Sequence, residues 1–235
     1  MKTIARRAAL VLSIVAVGSQ LIAAGLPAPT PDGPAWSVQE WQGMPALWKE
    51  NQPVTPMLFW QWKPEAYEIQ HFSKTGINLF SFFGSFQHYA HPFWRQDGSV
   101  ELTFQDAEIG KLLFFNPKCF FLPRLFATAP AWWVEANPGE VCLFGSGRQL
   151  KEPRESFASE KWLREGGDAY RRAVRHLLDA DYGKNLLGIH VTNGPWGENF
   201  FWDAYWGSKP TPEASDVSEP MRRRLIRYLR EKYGD

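Results

Sequence analysis

Four times along the chain a short apolar run with strand character is followed by a segment whose apolar residues recur at helical spacing, and this repetition constrains the fold more than any other feature. Met57-Leu-Phe-Trp-Gln-Trp62, flanked by Pro56 and Pro64, precedes Ala66, Ile69 and Phe72, with Gly76 as the stop. Ile77 to Phe83, ended by Gly84, precedes a helix that begins near Thr103 or Gln105 and carries Ile109, Leu112, Leu113 and Phe114. Phe120 to Phe126, where Pro123 must sit at a bulge or bend, is followed by a long Trp-, Pro- and Gly-rich loop and then a helix over Ala158 to Ala180. Leu186 to Thr192 precedes a helix over Pro220 to Tyr233. Strand-then-helix alternation demands a parallel sheet, because right-handed crossovers return each strand beside its predecessor.

An open doubly wound sheet and a (β/α)₈ barrel both satisfy that pattern. No G-x-G-x-x-G follows a strand, since Gly145-Ser-Gly147 lies in a loop, and the long loops all follow strands, as they do where a barrel works at its strand carboxyl ends. The expected fold is therefore a (β/α)₈ TIM-type barrel with about the first four βα units present over residues 55–235. Residues 26–54, rich in Pro and Trp and weakly periodic, read as a linker or N-terminal wrap.

Residues 1–25 read as a secretory signal: Lys2, Arg6 and Arg7, an apolar stretch from Ala8 to Val17, and a small-residue exit at Ala23-Ala24-Gly25. The expected destination is secreted or periplasmic, with no membrane attachment after leader removal. The balance of 26 Lys and Arg against 25 Asp and Glu falls to 23 against 25 when the leader's three cations leave, so no basic field exists to hold a nucleic acid. Cys119 and Cys142 are too few for a disulfide framework; a bridge between them is one reading, and Cys119 as a small buried apolar residue the favoured one.

Aromatic residues are 15% of the chain, with 12 Trp grouped at Trp60/Trp62, Trp132/Trp133 and Trp196/Trp202/Trp206. Such grouping suggests a lined cleft, because an indole needs either a core slot or a flat ligand to stack on. Trp132 and Trp133 read as a sugar-stacking platform or as a loop anchor. Trp60 and Trp62 lie at the first strand's exit, and Arg124 on the third strand offers a fixed donor fork for a sugar hydroxyl or a carboxylate. His88, His91 and His190 do not fall at metal-ligand spacing, and His190 inside a strand reads as a satisfied core histidine. No cofactor or metal is implied.

The fourth strand runs directly into Asn193-Gly-Pro-Trp-Gly-Glu-Asn-Phe-Phe-Trp202. A carboxylate at Glu198, hemmed by Trp196, Phe200 and Trp202 with Asn193 nearby, would lose solvation and hold its proton near neutral pH, as the general acid of glycoside cleavage must. Met57 to Trp62, Phe120 to Trp133 and above all Gly188-Ile-His-Val-Thr-Asn-Gly-Pro-Trp-Gly-Glu198 resemble the N-terminal half of a clan A glycoside hydrolase, nearest the family 42 β-galactosidase-like group. The resemblance implies a retaining enzyme with Glu198 as acid/base and a nucleophile Glu after a seventh strand. One departure stands out: the clan places Asn directly before this Glu, and here the residue is Gly197.

The chain stops at Asp235, so strands five to eight and the nucleophile are expected to be missing. Asp106, Glu135 and Glu140 are poor substitutes: Asp106 opens a helix, where negative charge suits the dipole, and the other two sit in the third loop. The expectation is an incomplete glycoside hydrolase acting on O-glycosidic bonds, inactive alone, with carbohydrate as its ligand and a second chain or copy completing the barrel. Alternatives are a non-catalytic carbohydrate-binding protein and an exported interaction domain whose aromatics are only core.

Overall fold

A computed structural model describes residues 36–50, 52–54, 57–83, 93–150, 152–193 and 216–234. Glu198, Trp196, Trp202 and the leader lie outside the described residues. The chain divides into two compact units, one built from residues up to 91 with 102–125 and 173–191, the other from 92–101, 126–172 and 192–235.

The first unit opens with regular structure where a linker or wrap was expected. β1 (Trp36–Trp41), β2 (Met44–Lys49) and β3 (Gln52–Val54) form an antiparallel sheet in chain order. Gln42 and Gly43 both take positive φ, 53° and 80°, and link β1 to β2 as a two-residue turn whose twist matches the strands. Trp36 packs edge-on against Phe120 at 5.0 Å.

β4 (Leu58–Gln61), β5 (Leu79–Phe82) and β6 (Phe120–Phe121) form a parallel sheet in chain order. The third strand position is broken at Leu122-Pro123, because proline has no N–H for the ladder, and resumes as β7 (Arg124–Phe126). Parallel bridges join Phe83 to Arg124 and Phe121 to Leu186, and β8 (His190–Thr192) pairs with β7. Four strand positions thus lie side by side in the order in which the chain makes them, without the reversal of a doubly wound sheet. The result is a mixed α/β fold with parallel sheets.

Helices α1 (Ala66–Lys74) and α2 (Thr103–Phe115) cover this sheet in the first unit. Ile69, Phe80, Phe82, Ile109, Leu112, Phe121 and Leu177 are at most 1% exposed, so β5, buried at all four positions, is the centre of the core. Asn116 links α2 to α1 and to the start of β5, its Nδ2 donating to Ser73 Oγ at 2.7 Å and to Asn78 Oδ1 at 2.9 Å. Cys119 here and Cys142 in the second unit are buried free thiols, not a bridge, and burial pushes both up to about 12.

The second unit is organised around tryptophan. α3 (Ala131–Ala136) and the amino-terminal part of α4 (Glu160–Asp179) contribute to a core of Ala129, Trp133, Val134, Val141 and Trp162, with Trp94 and Trp132 packed against it, and α5 (Glu219–Tyr233) is tied to the start of α4 by the ion pair of Arg227 with Glu160 at 2.6 Å. Gly166 lies one turn beyond Trp162 on α4, and a Cβ there would stand 2.7 to 2.8 Å from three ring atoms of that indole. The ring is held against Trp133 and Trp94, with centroids at 5.2 and 6.2 Å, and has little room to retreat. Gly166→Ala should therefore destabilise the chain by about 1–2 kcal/mol, overpacking outweighing the roughly 1 kcal/mol gained in helix propensity. A urea titration showing the variant more stable than the parent would contradict this. Among the described residues no helix is long and apolar enough to cross a membrane.

Candidate functional site at the strand carboxyl ends

The faces of the parallel sheet follow from strand alternation. Phe59 stacks on Phe72 of α1 at 4.1 Å, so it faces the helices, and its neighbours Leu58 and Trp60 point to the opposite face. Ser81 is the register partner of Trp60 and shares that face. Two residues further on, Trp62 and Phe83 stack at 4.4 Å with their planes 28° apart. Arg124, bridged to Phe83 across the next strand, lays its guanidinium carbon 4.6 Å from the Trp60 ring centroid and 4.8 Å from that of Phe83. The His190 N–H donates to the Pro123 carbonyl at 3.0 Å, which pairs His190 with Arg124 in the parallel ladder.

The sheet therefore brings Trp60, Trp62 and Arg124 together at the carboxyl ends of adjacent strands, joined by Phe83 and His190. Trp60 remains 40% exposed, so one large aromatic surface is open to a ligand. Beneath it Ser81 is 1% exposed, and its hydroxyl has no hydrogen-bond partner. His190 is half-buried rather than a sealed core residue; burial first, and the Arg124 charge second, hold its pKa below the ordinary histidine value. The Arg124 guanidinium against an exposed indole suits recognition of a polar ligand with a flat apolar face. Phe83 ends the run Ile77–Phe83 on the same face as Ser81, and counting by two along that strand would have found it. His190 was legible only once the neighbouring strand was known.

The remaining predicted residues lie in the second unit. Trp132 is half-buried, donates its indole N–H to the Trp94 carbonyl at 3.3 Å and meets the Trp94 ring edge-on at 4.7 Å. Trp133 does not form half of a stacking platform: it is 1% exposed and donates its indole N–H to Glu165 Oε2 at 2.8 Å. A six-residue helix turns successive side chains by about 100°, so neighbouring indoles cannot present one plane. Asn193, just past β8, accepts from the Thr128 hydroxyl at 3.3 Å.

None of the three acids weighed as a second carboxylate stands at a strand end. Asp106, in the first turn of α2, accepts from His176 Nε2 at 2.9 Å and from the Tyr182 hydroxyl. Glu135 is exposed on α3, and Glu140 accepts from Ser159 Oγ at 2.5 Å. Sequence reasoning missed Glu155, a fully buried carboxyl that accepts the Ala129 N–H at 3.1 Å and that burial pushes up to about 8. Nothing in Pro153-Arg-Glu-Ser-Phe157 distinguishes it from a solvated loop acid.

No protein-family model matches the chain, and no curated protein matches it in sequence. Among solved structures it is similar to a β-galactosidase from the psychrophilic Marinomonas ef1, with a TM-score of 0.52 and 14% identity over 75% of this chain and 25% of that one. The chain shares the mixed α/β fold of part of that structure. A polyextremophilic β-galactosidase from the Antarctic haloarchaeon Halorubrum lacusprofundi follows at 0.45 and 13% identity, over 76% of this chain and 25% of that one. A hypothetical protein from Ruminiclostridium thermocellum ATCC 27405 gives 0.37 and 10% identity, over 74% of this chain and 91% of that one. At 14% identity the likeness to the Marinomonas structure is one of fold alone, and the chain spans a quarter of the length of both β-galactosidases.

Proposed function

We propose that this chain is a glycoside hydrolase-like domain that binds oligo- or polysaccharide at the carboxyl ends of β4, β5, β7 and β8. In this reading it supplies about the first four βα units of a (β/α)₈ barrel of the family 42 β-galactosidase-like type. The observation that carries the reading is the row of Trp60, Trp62, Phe83 and Arg124 on one face of consecutive parallel strands, at the end where barrel enzymes hold their substrates. The exposed Trp60 ring would stack on a pyranose C–H face, with polar groups beside it addressing the hydroxyls.

Within the proposal Glu198 is the acid/base, carried on the segment that follows β8, and a retaining cleavage needs a second carboxylate about 5–5.5 Å from it. That partner comes from outside the described residues, in a second chain, a second copy or a longer polypeptide. The leader would deliver the domain to a secreted or periplasmic location.

Titration with galacto-oligosaccharides, followed by tryptophan fluorescence, should show saturable quenching. Trp60→Ala should weaken the apparent affinity by about tenfold, on the order of 1.4 kcal/mol. Flat fluorescence across a broad panel of glycans would refute the proposal. Hydrolysis of an aryl glycoside by the assembled enzyme, retained in Glu198→Gln, would remove Glu198 from its role.

A further inference from the structure

The antiparallel sheet over residues 36–54 has two faces of different chemistry, because residues directly opposite each other in an antiparallel pair share a face. One face carries Trp36 with Lys49 and Glu40 with Pro45. It meets the parallel sheet where Trp36 packs on Phe120 and the Lys49 ammonium stands 4.5 Å from the Phe120 ring centroid. Glu40 and Lys49 are the charged residues of these three strands, so both charges lie on that face. The other face is uncharged and carries Trp41 with Met44, Gln39 with Ala46 and Ser37 with Trp48. Trp41 and Met44 are 45% and 65% exposed as register partners, which makes an apolar patch rather than a scattered residue. The Trp41 and Trp48 rings meet at 5.5 Å with their planes 74° apart, across the Gln39–Ala46 pair, so one indole forms a floor and the other a wall. Beside them Gln39 Nε2 donates to Ser37 Oγ at 2.8 Å, which leaves the amide oxygen to accept and the hydroxyl to donate.

We infer that this face is a second carbohydrate-binding surface, for neutral polysaccharide, with a pyranose C–H face laid on Trp41 against the Trp48 wall and the sugar hydroxyls bonded to Gln39 and Ser37. A sugar ring is apolar on one side and fringed with groups that both donate and accept, which matches an indole beside a paired amide and hydroxyl. The absence of charge favours a neutral chain, since an anionic one would lose hydration there with no cation to offset it. The size of the face is too small for a stable protein partner: six residues on three strands span about 20 Å by about 14 Å, or roughly 280 Å², against about 800 Å² per partner. The sheet sits at the amino end of β6, which Phe120 begins, whereas the Trp60 row lies at strand carboxyl ends. The two surfaces are separate, and this inference does not rest on the row.

Native electrophoresis of the full chain through gels containing galactan, mannan, xylan or hydroxyethylcellulose tests this, with each variant checked by circular dichroism. At least one polymer should retard the parent, and the retardation should persist in Trp60→Ala and be insensitive to salt. Adding Trp41→Ala to Trp60→Ala should weaken the affinity by about tenfold, and Trp41→Tyr, which keeps a ring, should restore most of it. No retardation by any of the four neutral polymers overturns the inference. Retardation abolished by Trp60→Ala alone also overturns it while leaving the strand-end site standing, and this arm leaves the sheet unchanged, so it decides even if the Trp41 variants fail to fold. Full retardation of the folded double variant overturns it too, as does a parent dimer in sedimentation that Trp41→Ala dissociates, which would give the face to a second copy. Retardation through Trp41 in a chain whose galacto-oligosaccharide titration is flat would remove the row and keep this surface.

Discussion

Raising the pH from 5 to 9 should cost the chain on the order of 4 kcal/mol of stability, and Glu155→Gln should abolish most of that loss. Glu155 is 0% exposed, and its carboxyl is pushed from an ordinary 4.5 up to about 8, by burial above all. Hydrogen bonds from its own backbone and from Ala129, and the nearby Arg154 charge, offset this only in part. The sign follows from proton counting: between these two values the folded chain keeps the proton and the unfolded chain has lost it. Stability therefore falls by about 1.4 kcal/mol per pH unit through that window and levels off above about 8. Asp97 and Glu219, whose pKa values are lowered, act in acid, and His190, also lowered, opposes the fall only below its ordinary value of 6.5, so the slope above that belongs to Glu155. Urea unfolding at several pH values reads the slope directly. A Glu155→Gln variant with the parent's slope would show that another group carries the dependence.

Trp133→Ala should lose about 3–5 kcal/mol, whereas Trp132→Ala should lose about 1 kcal/mol or less. The Trp133 ring sits among Ala129, Val134, Val141 and Trp162 at 1% exposure, so its removal leaves a cavity, and Glu165 loses the indole N–H it accepts. Trp132 lies at the edge of that cluster, half in water, and water can replace the single long bond to the Trp94 carbonyl. Trp133→Phe separates the two contributions, since it keeps most of the apolar volume and deletes the donor. Equal losses in Trp132→Ala and Trp133→Ala would contradict the burial on which the distinction rests.

The contrast between Trp60/Trp62 and Trp132/Trp133 shows how far side-chain spacing can be read from sequence. Along a strand, positions two apart share a face whatever the rest of the fold does, so Trp60 and Trp62 were legible as neighbours, and their rings lie 5.9 Å apart. Adjacent positions on a helix diverge, and which of the two enters the core depends on what packs there. The strands at 36–54 escaped notice because both of their faces are partly exposed, which removes the apolar alternation that marks a strand. Pro123 was legible as an interruption, but whether the strand bends or divides depends on which neighbour its carbonyl and the flanking N–H groups find. In the structure the Leu122 N–H donates to the Phe80 carbonyl and the Pro123 carbonyl accepts from His190, and the strand divides.

Beyond residue 57, local chemistry alone determined the four strand-then-helix repeats, the parallel sense of the sheet that this order demands, and the placing of an arginine and two indoles at strand exits. These depend on periodicity and on the reach of short crossovers, which act between residues near one another in the chain. Only the tertiary structure decided that Arg124 lies over Trp60 and beside His190, that Trp133 is core, and that Glu155 is sealed from water. Each of those outcomes depends on residues tens of positions apart competing for the same space and the same hydrogen bonds, a competition settled only when the whole set packs at once.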